Sequence, residues 1–224
     1  MSCREYLERR IIMADKYDSI IFDLDGTLWS ATEPIMEAWN EVLSKHPEIK
    51  RDGLTLPELR QCMGLVMYDI AAKLFPDEDV NVRNALMDEM CAHENEYLAI
   101  HGGSLFPDLE DTLKRLKEKY KLYIVSNCQD GYIEAFLKAH RLADYFLDTE
   151  CWGRTRVSKG ESNKILMARN GLSNPVYVGD TIKDAQSAKD AGIDFIYAAY
   201  GYGEVDKESY VYKIDCFKDL THIL

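Results

Sequence analysis

The sequence predicts an α/β protein in which a doubly wound parallel sheet forms the core and a helical cap domain is inserted into it. Five short, β-rich apolar segments recur along the 224 residues, and helical patterns separate the later ones. This alternation is typical of parallel strands joined by helical crossovers. After the first apolar segment, helical patterns instead follow one another up to about residue 103, which predicts the insertion.

The predicted strands of the core span residues 19–23, 122–126, 145–148, 176–179 and 195–198. Between the later strands, apolar residues recur at intervals of three and four, which places them on one face of a helix. The three patterns comprise Leu109, Leu113, Leu116 and Tyr120; Ile133, Phe136 and Leu137; and Ile165, Leu166 and Arg169. Gly171 stands where a helix C-cap is expected after the third.

The predicted insertion contains four helical signals. Thr55 to Glu58 reads as a capping box with a proline in the first turn, and a longer helix is expected over about 82–98. Two further apolar stripes contain Ile35, Ala38, Trp39, Val42 and Leu43, and Met67, Ile70, Ala71, Leu74 and Phe75. We therefore predict a core of residues 1–29 and 103–224 and a cap of residues 30–102, with hinges at 30–34 and 101–103.

Composition excludes several classes of protein. The net charge of -12 argues against a nucleic-acid partner, because phosphate backbones need basic surfaces. No apolar run approaches the roughly 20 residues of a membrane span, and the charged N-terminus leads into no signal-peptide segment, so a cytoplasmic protein is expected. The six cysteines are scattered without metal-ligand spacing, which favours reduced thiols over disulfides or zinc.

Polar residues gather at the ends of the predicted strands. Ligands of open α/β sheets bind at the carboxyl ends of the strands, so these residues are candidates for a site. Asp23, Asp25 and Thr27 follow the first strand, Ser126 and Asn127 end the second, Asp180 and Asp184 follow the fourth, and Lys159 lies between the third and fourth.

The three strand-end carboxylates Asp23, Asp25 and Asp180 suit a hard divalent cation. Residues two apart in an extended segment point the same way, so Asp23 and Asp25 share one space that Asp180 joins. Crowded carboxylates raise one another's pKa, and Mg2+ relieves the repulsion through oxygen ligands. A single aspartate at such a position is more often a turn or N-cap residue. A purely structural role is a weak explanation for the whole set of three.

Four motifs in order resemble those of the haloacid dehalogenase superfamily. They are "DLDGTL" at 23–28, "IVSN" at 124–127, Lys159, and "VGDTIKD" at 178–184, with a gap large enough for a cap between the first two. The resemblance is to the Mg2+-dependent phosphatases with a helical cap, the group similar to phosphoglycolate phosphatase and β-phosphoglucomutase. It implies a Rossmann-like core and a phosphoric monoester hydrolase.

The resemblance implies the roles of the acidic motif residues. Asp23 would be the nucleophile that forms an aspartyl-phosphate, Asp25 the general acid and base, and Thr27 a further catalytic residue of the same motif. Asp23 and Asp180 would bind Mg2+ through their carboxylates and Asp25 through its backbone carbonyl. Asp184 would not bind the ion directly but would act through water or by orienting the lysine.

The resemblance also implies the residues that hold the phosphoryl group. Ser126 and Lys159 would bind the phosphoryl oxygens, with Asn127 beside them. Lys164 is the alternative lysine, but it falls inside the predicted helix, whereas Lys159 stands where that helix begins. Gly160 follows Lys159 where the family commonly has proline.

The cap is expected to select the substrate. Its candidate specificity loop surrounds "QCMGLVMYD" at 61–69, from which Arg60, Met63, Met67 and Tyr68 could reach the site. Related mutases carry a basic residue where this chain has Met67. This difference argues against a sugar-phosphate mutase but does not exclude one. The expected partner is a small phosphorylated metabolite, bound by a monomer or weak homodimer; a non-catalytic regulatory relative is a further alternative.

Overall fold

The computed structural model describes residues 16–224, in which a six-stranded parallel sheet forms the core. The strands of this sheet are β1 (Ser19–Phe22), β4 (Lys121–Ser126), β5 (Asp148–Cys151), β6 (Pro175–Gly179), β7 (Asp194–Ala198) and β8 (Tyr212–Ile214). Their order across the sheet is β5-β4-β1-β6-β7-β8, so β1 lies in the middle, paired with β4 and β6. The predicted doubly wound α/β fold is confirmed.

Helices cover both faces of the sheet, which explains why its strands are apolar on both sides. On β1, the buried side chains of Ile20 and Phe22 join one hydrophobic cluster and that of Ile21 joins another, on the opposite face. Outside the insertion lie α5 (Leu109–Lys117), α6 (Tyr132–His140), α7 (Trp152–Thr155), α8 (Lys159–Asn170), α9 (Ile182–Ala191) and α10 (Leu220–Ile223). As predicted, α8 ends at Gly171 in the left-handed conformation.

The insertion between residues 31 and 102 is helical, as predicted. It contains α1 (Thr32–Leu43), α2 (Leu56–Arg60), α3 (Met67–Leu74) and α4 (Val80–His101). The predicted capping box is present at the start of α2, where the side chain of Glu58 accepts hydrogen bonds from the backbone and hydroxyl of Thr55. We call residues 31–102 the helical segment; the domain boundaries at 30 and 102 remain a prediction.

A short antiparallel ribbon that the sequence did not predict joins the two ends of the helical segment. It consists of β2 (Trp29–Ser30) and β3 (Ser104–Leu105), next to the two predicted hinges. A Cβ atom at Gly103 would lie 2.8 Å from the Ser30 carbonyl oxygen. The close approach of the two strands therefore requires glycine.

The prediction of a strand over 145–148 is wrong. A 3-10 turn ends at Tyr145, the side chain of Leu147 is 62% exposed, and the edge strand β5 begins only at Asp148. The strand was missed because its carboxylates face Arg169 of α8, which donates to Asp148 at 2.8 Å and to Glu150 at 2.7 Å. An edge strand stabilised by ion pairs lacks the apolar pattern of a central strand.

Two predictions concern the chain's relation to membranes. Among the described helices, none is long and apolar enough to cross a bilayer. The N-terminal segment on which the absence of a signal peptide was argued, like the first part of the predicted core, lies outside the described residues.

Candidate active site

The first motif folds as a tight turn at the carboxyl end of β1. The Asp23 amide donates to the Val178 carbonyl at 2.8 Å and so continues the pairing with β6. Gly26 then takes a φ of 81°, and a Cβ atom there would lie 2.2 Å from Oδ2 of Asp180. Glycine is therefore needed for the turn to pack against the Asp180 carboxylate, which brings two motifs together.

Three buried carboxylates converge at this edge of the sheet. One oxygen from each of Asp23, Asp180 and Asp184 lies within 4.8 Å of the others. Burial, reinforced by the charge of Asp184, raises the pKa of Asp23 to about 7 and that of Asp180 to about 8. Because crowding disfavours ionisation of these groups, the donor set fits a hard divalent cation with oxygen ligands.

Lys159 lies against two of these carboxylates. Its Nζ atom donates to Oδ1 of Asp23 at 2.8 Å and to Oδ1 of Asp184 at 2.6 Å, and the residue is only 7% exposed. Burial lowers the pKa of Lys159, but the charges of Asp184 and Asp23 outweigh it and hold that pKa well above its ordinary value. Lys164, the alternative, is exposed and pairs with Glu161.

Both oxygens of Asp184 are engaged within the protein. Oδ1 accepts from Lys159, and Oδ2 accepts from the Thr181 amide at 2.9 Å and hydroxyl at 2.6 Å in the capping box of α9. This arrangement orients Lys159, which is the role that the resemblance implied as one alternative for Asp184.

Asp25 points into a cavity beside the carboxylate cluster. Its Oδ1 atom accepts hydrogen bonds from Nε1 of Trp29 at 3.0 Å and from the hydroxyl of Tyr132 at 2.7 Å. Burial raises the pKa of Asp25 to about 6, although these two hydrogen bonds lower it. A carboxyl group with such a pKa can both give and take a proton near neutral pH.

Thr27 lies behind the carboxylate cluster and does not line the cavity. Its hydroxyl is 3.5 Å from Oδ1 of Asp180, whose Oδ2 accepts from the Tyr202 amide at 2.7 Å. A Cβ atom at Gly201 would lie 2.3 Å from the Cβ of Asp180, so this loop also packs closely on the site. The geometry gives Thr27 a positioning contact with Asp180.

A cavity of about 60 Å³ lies between the helical segment and the edge of the sheet. Of the predicted site residues, Asp23, Asp25, Ser126, Asn127 and Lys159 line its polar end. The opposite wall comes mainly from the helical segment and is formed by Ile35, Trp39, Leu59, Cys62, Met63, Gly64, Leu65, Met67, Ile70 and Glu94. The predicted site residues and the helical segment thus border one space.

The predicted specificity loop borders this cavity. Met63, Gly64 and Met67 line it, whereas Arg60 and Tyr68 do not. The Gly64 carbonyl accepts a hydrogen bond from Nδ2 of Asn127 at 3.1 Å. Asn127 therefore contacts both the cavity and the helical segment.

Three residues of the site were not found from the sequence. Trp29 and Tyr132 fix Asp25, and Glu94 lines the cavity from α4. Glu94 does carry a signal, because it shares a helical face with the buried Met87, Met90 and Leu98, where a charged residue is unexpected. Tyr132 carries none, since its contact with Asp25 is set by tertiary packing. Trp29 lies only four residues after Asp25, but its indole was not assigned as a partner of that carboxyl group.

The fold and the site define an α/β protein with a buried cluster of carboxylates and one lysine at the carboxyl edge of its sheet. A family model of the haloacid dehalogenase-like hydrolases matches residues 20–198. The chain belongs to this family. The resemblance drawn from the four motifs is therefore confirmed, and with it the prediction of a phosphoric monoester hydrolase.

Curated relatives agree with this assignment, and solved structures share the fold. The chain is similar to phosphoglycolate phosphatases of Aliivibrio fischeri, at 27% identity over 82% of this chain and 84% of the relative, and of Nitrosospira multiformis, at 26% identity over 88% of each. Its fold is similar to that of a predicted phosphoglycolate phosphatase from Haemophilus somnus, with a TM-score of 0.81 and 20% identity. The match covers 93% of this chain and 98% of the other. Its fold is also similar to that of CbbY from Rhodobacter sphaeroides in complex with phosphate. That match has a TM-score of 0.77 and 17% identity, and it covers 91% of this chain and 96% of the other.

Proposed function

We propose that this protein is a Mg2+-dependent phosphatase that hydrolyses a small phosphorylated metabolite through an aspartyl-phosphate on Asp23. The observation that carries the proposal is the convergence of Asp23 with Lys159 and Asp180 at the carboxyl edge of the sheet, where Asp23 and Lys159 also line a cavity. Phosphoryl transfer depends chiefly on positioning and on neutralising charge, and this site supplies both.

In the first step, a carboxylate oxygen of Asp23 attacks phosphorus. The bond between phosphorus and the ester oxygen breaks, and Asp25 gives its proton to the departing alkoxide. Lys159, Ser126 and Asn127 line the space for the phosphoryl oxygens. The pKa of Asp25, raised by burial to about 6, keeps a fraction of this group protonated near neutral pH.

In the second step, water attacks phosphorus and the bond to Asp23 breaks. Asp25, now ionised, takes the proton from the water, so that inorganic phosphate leaves and both aspartates return to their starting states. The helical segment forms one wall of the cavity and so shields the phosphoryl group from part of the bulk solvent.

The metal would be held by the carboxylates of Asp23 and Asp180 and the backbone carbonyl of Asp25, with Asp184 behind them. When bound, Mg2+ would neutralise charge on the phosphoryl oxygens and on the crowded carboxylates. The raised pKa values of Asp23 and Asp180 support this assignment, because burial and neighbouring charge disfavour their ionisation and a cation would offset both.

The two alternatives receive less support. A mutase acting on sugar phosphates needs a cation for a second phosphate, and among residues 16–224 the only cationic side chain that lines the cavity is Lys159. A non-catalytic relative has no need of a buried lysine held by two carboxylates, because leaving such charges buried is costly.

Release of p-nitrophenol from p-nitrophenyl phosphate, with and without Mg2+, tests the proposal. We expect Mg2+-dependent turnover in the wild type and none in Asp23→Asn. The surface variant Asp215→Asn serves as the control for removal of an aspartate charge and should retain full activity. Equal hydrolysis by the wild type and Asp23→Asn would show that the aspartate is not the nucleophile.

A further inference from the structure

Within the described residues, the wall of the cavity that faces away from the carboxylate cluster carries one carboxyl group, that of Glu94. This residue is 2% exposed, and its carboxylate accepts a hydrogen bond from Nε1 of Trp39, which lines the same wall. The remaining wall residues contributed by α1, α2 and α3 are apolar. A substrate whose phosphoryl group lies at Lys159 would therefore place its alcohol portion among apolar side chains and near one carboxyl group.

The charges that line the cavity are unfavourable for a second anion. Its acidic residues are Asp23, Asp25 and Glu94, and within the described part of the chain Lys159 is its only cationic residue. Lys159 is already bound by Asp23 and Asp184 and faces the phosphoryl position. A carboxylate on the leaving group would thus meet Glu94 without a cation to balance it.

We propose that Glu94 is a specificity-determining residue that selects phosphate esters whose short alcohol portion ends in a hydrogen-bond donor, a hydroxyl or an ammonium group, and rejects those that end in a carboxylate. The inference rests on the proposed phosphatase activity and names the substrate class of that same cavity. It separates this chain from its curated relatives, which carry the name of an enzyme for a carboxylate-bearing ester.

The local electrostatics are consistent with this selection. Burial raises the pKa of Glu94 to about 8, although hydrogen bonds from Gln129 and Trp39 lower it and the charge of Asp25 raises it further. The empty site therefore resists a negative charge at this position. An ammonium donor would favour the ionised form of Glu94, whereas a second carboxylate beside it would disfavour that form further.

Three esters of matched size test the proposal: 2-hydroxyethyl phosphate, 2-aminoethyl phosphate and 2-phosphoglycolate. They differ only in whether the alcohol ends in a hydroxyl, an ammonium or a carboxylate group. We expect kcat/KM of the wild type to be at least about tenfold higher for each donor ester than for 2-phosphoglycolate. A higher value for the aminoethyl than for the hydroxyethyl ester would identify the ionised carboxylate as the recognising form.

The variant Glu94→Gln should reduce the preference for the aminoethyl ester over 2-phosphoglycolate by at least about tenfold. The ratio is measured on one enzyme preparation, so it does not depend on the fraction that folds. Glu96→Gln makes the same charge change two residues away on the exposed face of α4 and should keep the wild-type ratio.

Several results would overturn the proposal. They are a wild-type preference for 2-phosphoglycolate, an unchanged ratio in Glu94→Gln, or hydrolysis of p-nitrophenyl phosphate with none of the three short esters accepted. If Glu94→Gln does not fold, the wild-type ranking alone decides. Failure of the proposed phosphatase activity is distinct, since it would appear as no Mg2+-dependent hydrolysis of p-nitrophenyl phosphate.

Discussion

At the scale of single residues, two hydrogen bonds to one oxygen set the orientation of Asp25. Trp29 and Tyr132 donate to the same Oδ1 atom, and the two rings themselves pack edge to face with centroids 5.6 Å apart. Both side chains are almost fully buried. The carboxyl group is thereby held at the cavity by parts of the chain that are about 100 residues apart.

We predict that Tyr132→Phe lowers kcat about tenfold and leaves KM nearly unchanged. Loss of one hydrogen bond to a charged group costs about 1.5–3 kcal/mol, and here it frees the group that moves the proton. Steady-state kinetics with an alkyl phosphate measure both constants. Tyr145→Phe removes a surface hydrogen bond to Glu110 and serves as the control. A rise in KM with kcat unchanged would mean that Tyr132 binds substrate instead of positioning Asp25.

Glu94 should make the stability of the metal-free protein depend on pH. The folded state holds a proton on Glu94 up to about pH 8, whereas the unfolded chain releases it near 4.5. Between these values the folded state binds more protons, so its free energy of unfolding falls as pH rises. The raised pKa values of Asp23, Asp25 and Asp180 also make the free energy of unfolding fall as pH rises. Comparison of Glu94→Gln with a control variant isolates the part that is due to Glu94.

We predict that the melting temperature of Glu94→Gln falls less between pH 5 and pH 8 than that of Glu96→Gln, by at least about 2–4 °C. Calorimetry in the presence of EDTA measures the difference. Parallel curves for the two variants would mean that the carboxyl group of Glu94 titrates as it does in water.

At the scale of elements, polar and aromatic contacts join the helical segment to the core around the cavity. Nδ2 of Asn95 donates to the Asp130 carbonyl at 2.8 Å. Tyr68 of α3 packs edge to face on Trp152 of α7 with centroids 5.6 Å apart, and the Arg156 guanidinium lies 4.2 Å from the Trp152 ring. The helical segment is held over the site by these contacts, as a cap would be.

We predict that Arg156→Ala changes kcat and KM together, each by a few-fold, although Arg156 does not line the cavity. Cation–π contacts at exposed sites contribute about 0.5–1 kcal/mol, and this one touches both Trp152 and Tyr68 across the boundary. Lys117→Ala removes a similar contact with Tyr145 within the core and should leave both constants unchanged. Equal behaviour of the two variants would show that these contacts do not affect catalysis.

Elements with a local pattern could be predicted from the sequence, and those fixed by tertiary contacts could not. The central strands are apolar on both faces, and the capping box of α2 is a local motif, so both were found. Strand β5 depends on ion pairs with Arg169, and β8 and the β2–β3 ribbon have only two or three residues each. The polar residues at the strand ends could be predicted to converge because a parallel sheet places all carboxyl ends at one edge.

At the scale of the whole molecule, the topology of the sheet creates the site. Strands β1, β4 and β6 are neighbours, so residues from 23 to 184 meet at one edge. The protein carries a net charge of -12, and three of its acidic groups lie buried together at this edge. Partners of Asp25 on other elements, such as Tyr132, could not be assigned before the packing was known.

We predict that Mg2+ raises the melting temperature of the wild type and does not raise that of Asp180→Asn. A cation that binds only the folded state stabilises it by about 2.7 kcal/mol at 100 times its Kd, which is about 5–11 °C for a chain of this size. Differential scanning fluorimetry measures the shift without any substrate. Asp215→Asn is the control, and an equal shift in Asp180→Asn would place the cation elsewhere.

The central claim is that Asp23 carries the phosphoryl group during turnover, and a trapped intermediate tests it most directly. In Asp25→Asn the base for the second step is removed, so the phosphoenzyme should accumulate when p-nitrophenyl phosphate and Mg2+ are mixed with it and the reaction is stopped with acid. Mass spectrometry should then find one added phosphoryl group, located on the peptide that contains Asp23 and absent from the double variant Asp23→Asn/Asp25→Asn. Turnover without any label on Asp23, or the same label in the double variant, would contradict the account.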